Sequence, residues 1–404
     1  RAQEAPRLGR EQEFMSLSGG ARRFVRYSYG DLLREDRGYG VLYRIWAGTQ
    51  RILLWGDPAM AAGYGRCGSF AGSDGVELCE PLTFKGRMGS GSSGDRAGYI
   101  DESLAPGLDD WTKFDQTYRQ IGRLLYDPQA DADGWRRALV RDLGPAAEPM
   151  ERALAHASRI LPLITIAHHP SASNNAYWPE IYTNMPIVKP EGHPYRDTPE
   201  PKVFNTVSPL DPATFSSIEE HAESVTLGKT DPRYSPIDVA GWLDSFAQTA
   251  ETSLKEADEM GDQGEAAFWR MAVDIAIQAG IGRFFAEKLR AGVAYALWQR
   301  NNDVDTLQFA LSAYHRARDA WAALSQVASV YAPHLGYGRS AHLSGHWLDR
   351  LPAIDADIED LAALLESDRT SVTKPIPLGE QIRPAVSANH TPPADFDPGD
   401  PVSL

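Results

Sequence analysis

A chain of 404 residues with a formal charge of −15 and a pI near 5.1 can hold two or three domains, and its acidity argues against binding to nucleic-acid phosphates. The apolar fraction of 42%, with 10% aromatic residues, is globular, and no apolar run reaches the roughly eighteen residues of a membrane span. The two cysteines, Cys67 and Cys79, exclude a disulfide-stapled scaffold and leave a single bridge open. The opening stretch RAQEAPRLGREQEF starts at Arg1 and has no apolar signal core, so a truncated or processed chain is expected and the compartment stays open.

Residues 1 to about 105 carry the strand-like runs FVRYSY (24–29), VLYRIW (41–46) and VELCEPLTF (76–84). Between the last two, GTQRILLWGDPAMAAGYGR predicts a crossover with a short helix, hence a strand–helix–strand unit. A glycine–serine loop, KGRMGSGSSGDRAG (85–98), follows directly; long loops in compact domains are usually functional or mobile. From Asp109, helical spacing places Trp111, Phe114, Tyr118, Ile121 and Leu125 on one stripe that stops at Pro128. ADADGWRRALVRDLG and PAAEPMERALAHASRILPLITIAHH predict further helices, and an aromatic, proline-rich connection then packs on a surface.

Residues 235–367 predict an antiparallel helical bundle. Ser235, Pro236 and Asp238 form a helix start, followed by a stripe of Val239, Leu243, Phe246, Ala250, Leu254 and Ala257. A second helix covers about 265–300 with a bend at Gly280 and Gly282, a third runs over 303–331, and a fourth begins near Pro352. The expected organisation is a partial barrel-like region with the active-site strand over 1–200, a proline-rich connection over 201–234, the bundle over 235–367 and a disordered tail over 368–404.

Two carboxylates, Glu77 and Glu80, interrupt the apolar run GVELCEPLTFKG. Carboxylates there are either solvated on an edge or in use. Residues three apart on a strand face opposite ways, and Pro81 marks a strand end. Reactive groups of parallel α/β barrels sit at C-terminal strand ends, which favours Glu80 as catalytic, with Glu77 as partner or structural acid. Arg44 and Trp46 end another strand-like run, with Trp55 shortly after; a cation beside flat rings suits a ring-shaped, anionic ligand. The stretch 167–184 concentrates His168, His169, Asn174, Asn175, Trp178, Glu180 and Tyr182, a mixture that holds hydroxylated ligands such as sugars. Each group has a plainer alternative as core or capping residues. The spacing of the histidines argues against zinc, and no metal or cofactor is expected. His342, His346, Trp347, Asp349 and Arg350 read as anchors of the fourth helix.

The order VELCEPLTFKG, loop, DDWTKFDQTYRQIGRLLYDP and WRRALVRDLGPAAEPMERAL resembles the closing part of a glycoside hydrolase (β/α)8 barrel, and is similar to bacterial α-glucuronidases acting on plant polysaccharides. The resemblance implies an α/β fold, the C-terminal part of a (β/α)8 barrel followed by an all-α helical-bundle domain. It implies Glu80 as a catalytic carboxylate, and Arg44 or Trp46 lining the sugar pocket. A full barrel takes roughly 250 residues, so an incomplete one is expected, with a second carboxylate upstream. The expected function is hydrolysis of a glycosidic bond in a plant or microbial poly- or oligosaccharide, at a uronic acid in its specific form. The partner is then a carbohydrate substrate, with no nucleic acid and no membrane span, and self-association would run through the helical domain as a homodimer. The rival expectation is a non-catalytic helical module that binds carbohydrate or protein.

Overall fold

The structure, a computed structural model, describes residues 38–45, 49–69, 72–78, 98–106, 109–170, 178–190, 203–260, 266–336 and 344–371. It opens with β1 (Leu42–Ile45), α1 (Pro58–Cys67) and β2 (Gly75–Leu78). The strands pair in parallel, with Arg44 opposite Glu77 and Ile45 opposite Leu78, and α1 supplies the crossover that parallel strands require. Asp57 starts α1 by accepting the Ala59 N–H at 3.1 Å, and Pro58 occupies the first turn, where its missing N–H is not needed.

A short 3₁₀ turn over 110–114 leads into α2 (Asp115–Tyr126). This turn alters the helical phase, so Phe114, Ile121 and Leu124 are buried while Trp111 is exposed. α1 and α2 pack so closely that a Cβ on Gly65 would lie 2.3 Å from the Leu124 carbonyl oxygen. Gly65→Ala is therefore expected to cost about 1–3 kcal/mol by overpacking. Urea unfolding measures it, and an unchanged midpoint would show that the two helices can part freely.

α3 (Asp133–Leu143), α4 (Ala147–Ser158) and α5 (Ile160–Ala167) follow. The stretch that reads as one helix is broken at Arg159, because Pro162 has no N–H and its ring excludes the carbonyl of Ser158. α6 (Ile218–Thr226) lies within the proline-rich connection and begins with a reciprocal cap between Ser217 and Glu220. The remaining elements are α7 (Pro236–Met260), α8 (Ala266–Asn301), α9 (Val304–Val327), the two-residue strands β3 (Leu335–Gly336) and β4 (Ser344–Gly345), and α10 (Leu351–Ser371).

At the start of α7, Ser235 Oγ accepts the Asp238 N–H at 3.1 Å while Asp238 accepts the Ser235 N–H at 2.8 Å. α8 runs without interruption through Gly280 and Gly282. Those glycines permit close approach instead of bending: a Cβ at Gly280 would lie 2.6 Å from Leu324 of α9, and one at Gly282 would lie 3.0 Å from Ile160 of α5.

No (β/α)8 barrel is shown among the described residues. The parallel sheet has two strands, β3 and β4 form a separate antiparallel pair, and helices dominate. The physical reason lies in what α4 and α5 cover. They pack on α7 and α8 rather than on a sheet, and one continuous apolar core runs from Leu53 to Leu365. A smaller cluster of Trp55, Met60, Ile121, Leu124 and Trp135 seals α1 against α2 and α3. No described helix is long and apolar enough to cross a membrane.

Candidate functional site

The exposed end of the parallel pair carries an ion pair. Arg44 forks onto Glu77, with Nη2–Oε1 at 2.9 Å and Nε–Oε2 at 3.0 Å, both side chains in contact with water. An exposed pair of this kind contributes about 0.2–1 kcal/mol. Glu80, Trp46, Asn174 and Asn175 lie outside the described residues. In sequence, Glu80 falls two residues beyond Leu78, the last residue of β2.

The connection after β1 is held by buried carboxylates. Glu180 accepts the backbone N–H groups of Arg51 at 2.8 Å, Ile52 at 3.0 Å and Leu53 at 2.8 Å. The indole N–H of Trp178 donates to it as well. These successive N–H groups make an anion nest. Burial raises the Glu180 pKa, while the Trp178 and backbone donors oppose that rise. Trp178 is itself buried, with the Arg51 guanidinium 5.8 Å from its ring. The next N–H, that of Leu54, donates to Asp274 at 2.7 Å. Trp55 is buried in the smaller core, and Thr117 donates to its carbonyl. Its indole N–H and both amide atoms of Gln120 have no partner among the described residues.

The connection after β2 is held by the same Asp274. Where the chain is next described, Gly98 accepts from Ala332 and the Ile100 N–H donates to Val330 at 2.7 Å. Tyr99 stacks on Tyr331 at 4.7 Å. The Tyr331 hydroxyl donates to Asp274, and Lys113 Nζ lies 2.9 Å from the other carboxylate oxygen. Lys113 also donates to the Tyr331 oxygen at 2.5 Å and faces the rings of Tyr99 and Phe114. Burial works against the Lys113 ammonium, but Asp274 and Tyr99 outweigh it and hold its pKa above the usual value. Burial first, and Asp274 second, keep Tyr331 protonated far above the usual tyrosine range. Asp274 thus ties down both connections that leave the C-terminal edge of β1 and β2, the edge at which parallel α/β folds place their chemistry.

A second buried cation lies deeper. Lys288 donates to the Met185 carbonyl at 2.8 Å, to Tyr314 at 3.0 Å and to Asn184. The rings of Tyr182, Phe204, Phe284 and Tyr314 surround it within 5.5 Å. The Tyr314 hydroxyl is itself spent on Asp357 at 2.6 Å, so its oxygen can only accept from Lys288. Three acceptors require three N–H groups, which only the ammonium has. Burial pushes the Lys288 pKa down to about 7, with Asp357 pulling the other way. Between about pH 7 and the unfolded value of about 10.4, the unfolded chain binds more protons at this position. Stability from Lys288 therefore rises with pH across that window. Melting temperatures from pH 7 to 9.5 are expected to climb more steeply in the parent than in Lys288→Met; parallel profiles would contradict this.

His168 reaches the same region: its Nε2 lies 2.9 Å from the Phe204 carbonyl and its ring stacks on Phe204 at 4.1 Å. The His169 N–H donates to Ser208. Tyr182 accepts the Met185 N–H at 2.9 Å and meets Phe285 edge-on. His168 and Tyr182 therefore gather around Phe204 and Lys288, Trp178 and Glu180 gather around Arg51–Leu53, and Arg44 and Glu77 pair with each other. At the start of α10, His346 and Asp349 cap one another's backbone, and Trp347 receives a hydrogen bond from Trp321 while donating to the Glu180 carbonyl at 2.6 Å. Cys67 is a free, half-buried thiol whose pKa is raised by burial. The buried residues that sequence reasoning passed over are Lys113, Asp274 and Lys288. Asp274 carried the signal applied to Glu77 and Glu80, a charge inside an apolar run, MAVDIAIQAG, whereas Lys113 and Lys288 stand among other charges in the sequence.

Neither a family model nor a curated protein matches the chain. Solved structures similar to it include a GH138 enzyme targeting pectin rhamnogalacturonan II, with a TM-score of 0.65 at 12% identity. The likeness covers 82% of this chain and 48% of that enzyme, so the chain spans about half of the enzyme's length. At this identity the likeness concerns the fold.

Proposed function

We propose that the chain belongs to a glycoside hydrolase that cleaves a glycosidic bond in an acidic plant polysaccharide, at a uronic acid. The observation that carries this reading is the extended fold likeness to a pectin-targeting enzyme. A rhamnogalacturonan contains galacturonate, so the substrate class would present sugar carboxylates. Hydrolysis needs one protonated carboxyl group at the leaving oxygen and one ionised carboxylate that attacks or activates water. Glu80, two residues beyond Leu78 in the sequence, takes one of these roles. Two of the buried carboxylates are committed elsewhere: Glu180 to backbone N–H groups and Trp178, and Asp274 to Lys113, Tyr331 and Leu54. Glu77, forked by Arg44, fits a structural acid better than a partner in catalysis. The second carboxylate is therefore sought outside the described interior.

The commitment of these interior carboxylates also favours a second reading, a non-catalytic helical module that binds carbohydrate or protein. Release of reducing sugar from rhamnogalacturonan II oligosaccharides separates the two. Turnover by the chain supports the hydrolase. Binding without turnover would leave the module.

A further inference from the structure

At the end of the parallel pair opposite to Leu78, a groove of about 510 Å³ opens between the last turn of α1, the start of β2 and the last turn of α2. Arg66, Gly68, Ser69, Gly75, Val76 and Tyr126 are among its lining residues. The volume falls in the range of about 300–1,000 Å³ typical of small-ligand sites. Two lining positions favour glycine: a Cβ on Gly68 would lie 3.2 Å from the Gly65 carbonyl, and Gly75 adopts φ +145°, which disfavours any side chain.

Two features give the groove a chemical preference. Tyr126 is 89% exposed, the largest exposure among the described large apolar residues, and it offers a bare ring face. Arg66 is exposed and has no hydrogen-bond or ion-pair partner among the described residues, whereas arginines such as Arg44, Arg119 and Arg290 are paired with carboxylates. The carboxylates nearest in sequence are turned to backbone donors. Asp74 accepts the Val41 N–H at 2.7 Å, and Asp127 accepts the Gln129 N–H at 3.0 Å. On a chain of charge −15, an acidic sugar is repelled overall and is held only where a cation is not already neutralised. A guanidinium fork matches a carboxylate in two parallel hydrogen bonds, and an aromatic face receives the apolar side of a pyranose ring.

We propose that this groove is a non-catalytic subsite for a uronate-bearing sugar, with Arg66 on the carboxylate and Tyr126 beneath the ring. The choice of a sugar rests on the reading given under Proposed function, but the site lies away from Glu80 and its test is a binding measurement. Titration calorimetry of the intact chain uses digalacturonate, with neutral galactobiose as the comparison. The expected result is millimolar or tighter binding of digalacturonate, weakened about tenfold by Arg66→Gln and by Tyr126→Ala. Arg66→Lys keeps the charge and retains part of the affinity, and Glu80→Gln leaves binding unchanged. Both positions are exposed, so melting temperatures stay near the parent value. Absence of binding, equal binding of galactobiose, or loss of binding in Glu80→Gln but not in the groove variants would each overturn the proposal. Binding at the groove in a chain that cleaves nothing would overturn the hydrolase reading while leaving the subsite standing.

Discussion

Glu80→Gln is expected to remove nearly all turnover from the hydrolase while the protein folds and melts as the parent does. Glutamine keeps the shape of the side chain and deletes its proton chemistry. General acid–base assistance is worth about 10²–10⁴ in rate, and the loss of a nucleophile costs more. The assignment rests on sequence position: β1 and β2 run in parallel, β2 is described as far as Leu78, and Glu80 lies two residues further along the chain. Glu77→Gln is the matched control within the same strand. Its carboxylate sits in an exposed pair with Arg44, and an exposed pair of this kind is worth about 0.2–1 kcal/mol, so rate and melting temperature should hardly move. Initial rates of reducing-sugar release, measured beside circular dichroism melts, compare the two variants. Parent-like rates in Glu80→Gln, on a substrate the parent cleaves, would return Glu80 to the role of a solvated edge carboxylate.

What the sequence disclosed followed the range of the interactions involved. The start of α7 was legible because a cap is chemistry between near neighbours, Ser235 with Asp238. The stripe of α7 was legible for the same reason, and Val239, Leu243, Phe246, Ala250 and Ala257 are buried as their spacing requires. The partial barrel came from the likeness of a run of segments to a family, and periodicity alone reports that a helix has an apolar face, not what the face meets. α4 and α5 meet α7 and α8, which lie far along the chain. Gly280 and Gly282 illustrate the same ambiguity, since a glycine inside a helix marks a bend or a close neighbour alike. Here the neighbours, Leu324 and Ile160, belong to other helices.

The polar stretch around Trp178 and Glu180 stood out as unusual, yet its partners could not be read locally. The N–H groups that fill the Glu180 carboxylate come from residues as far as 129 positions away. A buried carboxylate announces that donors exist somewhere; only the fold says whether they are a ligand's or the chain's own. The same rule applied to Asp274, set in the apolar run MAVDIAIQAG, would have forecast buried partners for it.

Asp274→Ala is expected to be the most destabilising single change in the described interior, at about 3–5 kcal/mol, the cost of stranding one member of a buried ion pair. It leaves the Lys113 ammonium without its counter-charge and the Leu54 N–H and Tyr331 hydroxyl without their acceptor. Lys113→Met should cost less. It leaves the carboxylate still receiving the Leu54 and Tyr331 donors, and methionine fills the space between the Tyr99, Phe114 and Tyr331 rings. In the double variant the penalties should not add, since no ammonium then remains to be stranded. Urea unfolding of the three variants gives the coupling energy directly. A loss below about 1 kcal/mol in Asp274→Ala would place it among ordinary surface changes and sink the anchoring role. Because Asp274 holds the connection after β1 through Leu54 and the one after β2 through Tyr331 and Tyr99, its loss should also loosen both at once. Amide exchange at Leu54 and Ile100 should then quicken together in Asp274→Ala, whereas Glu180→Gln, which keeps an acceptor for Arg51–Leu53, should affect the first connection alone.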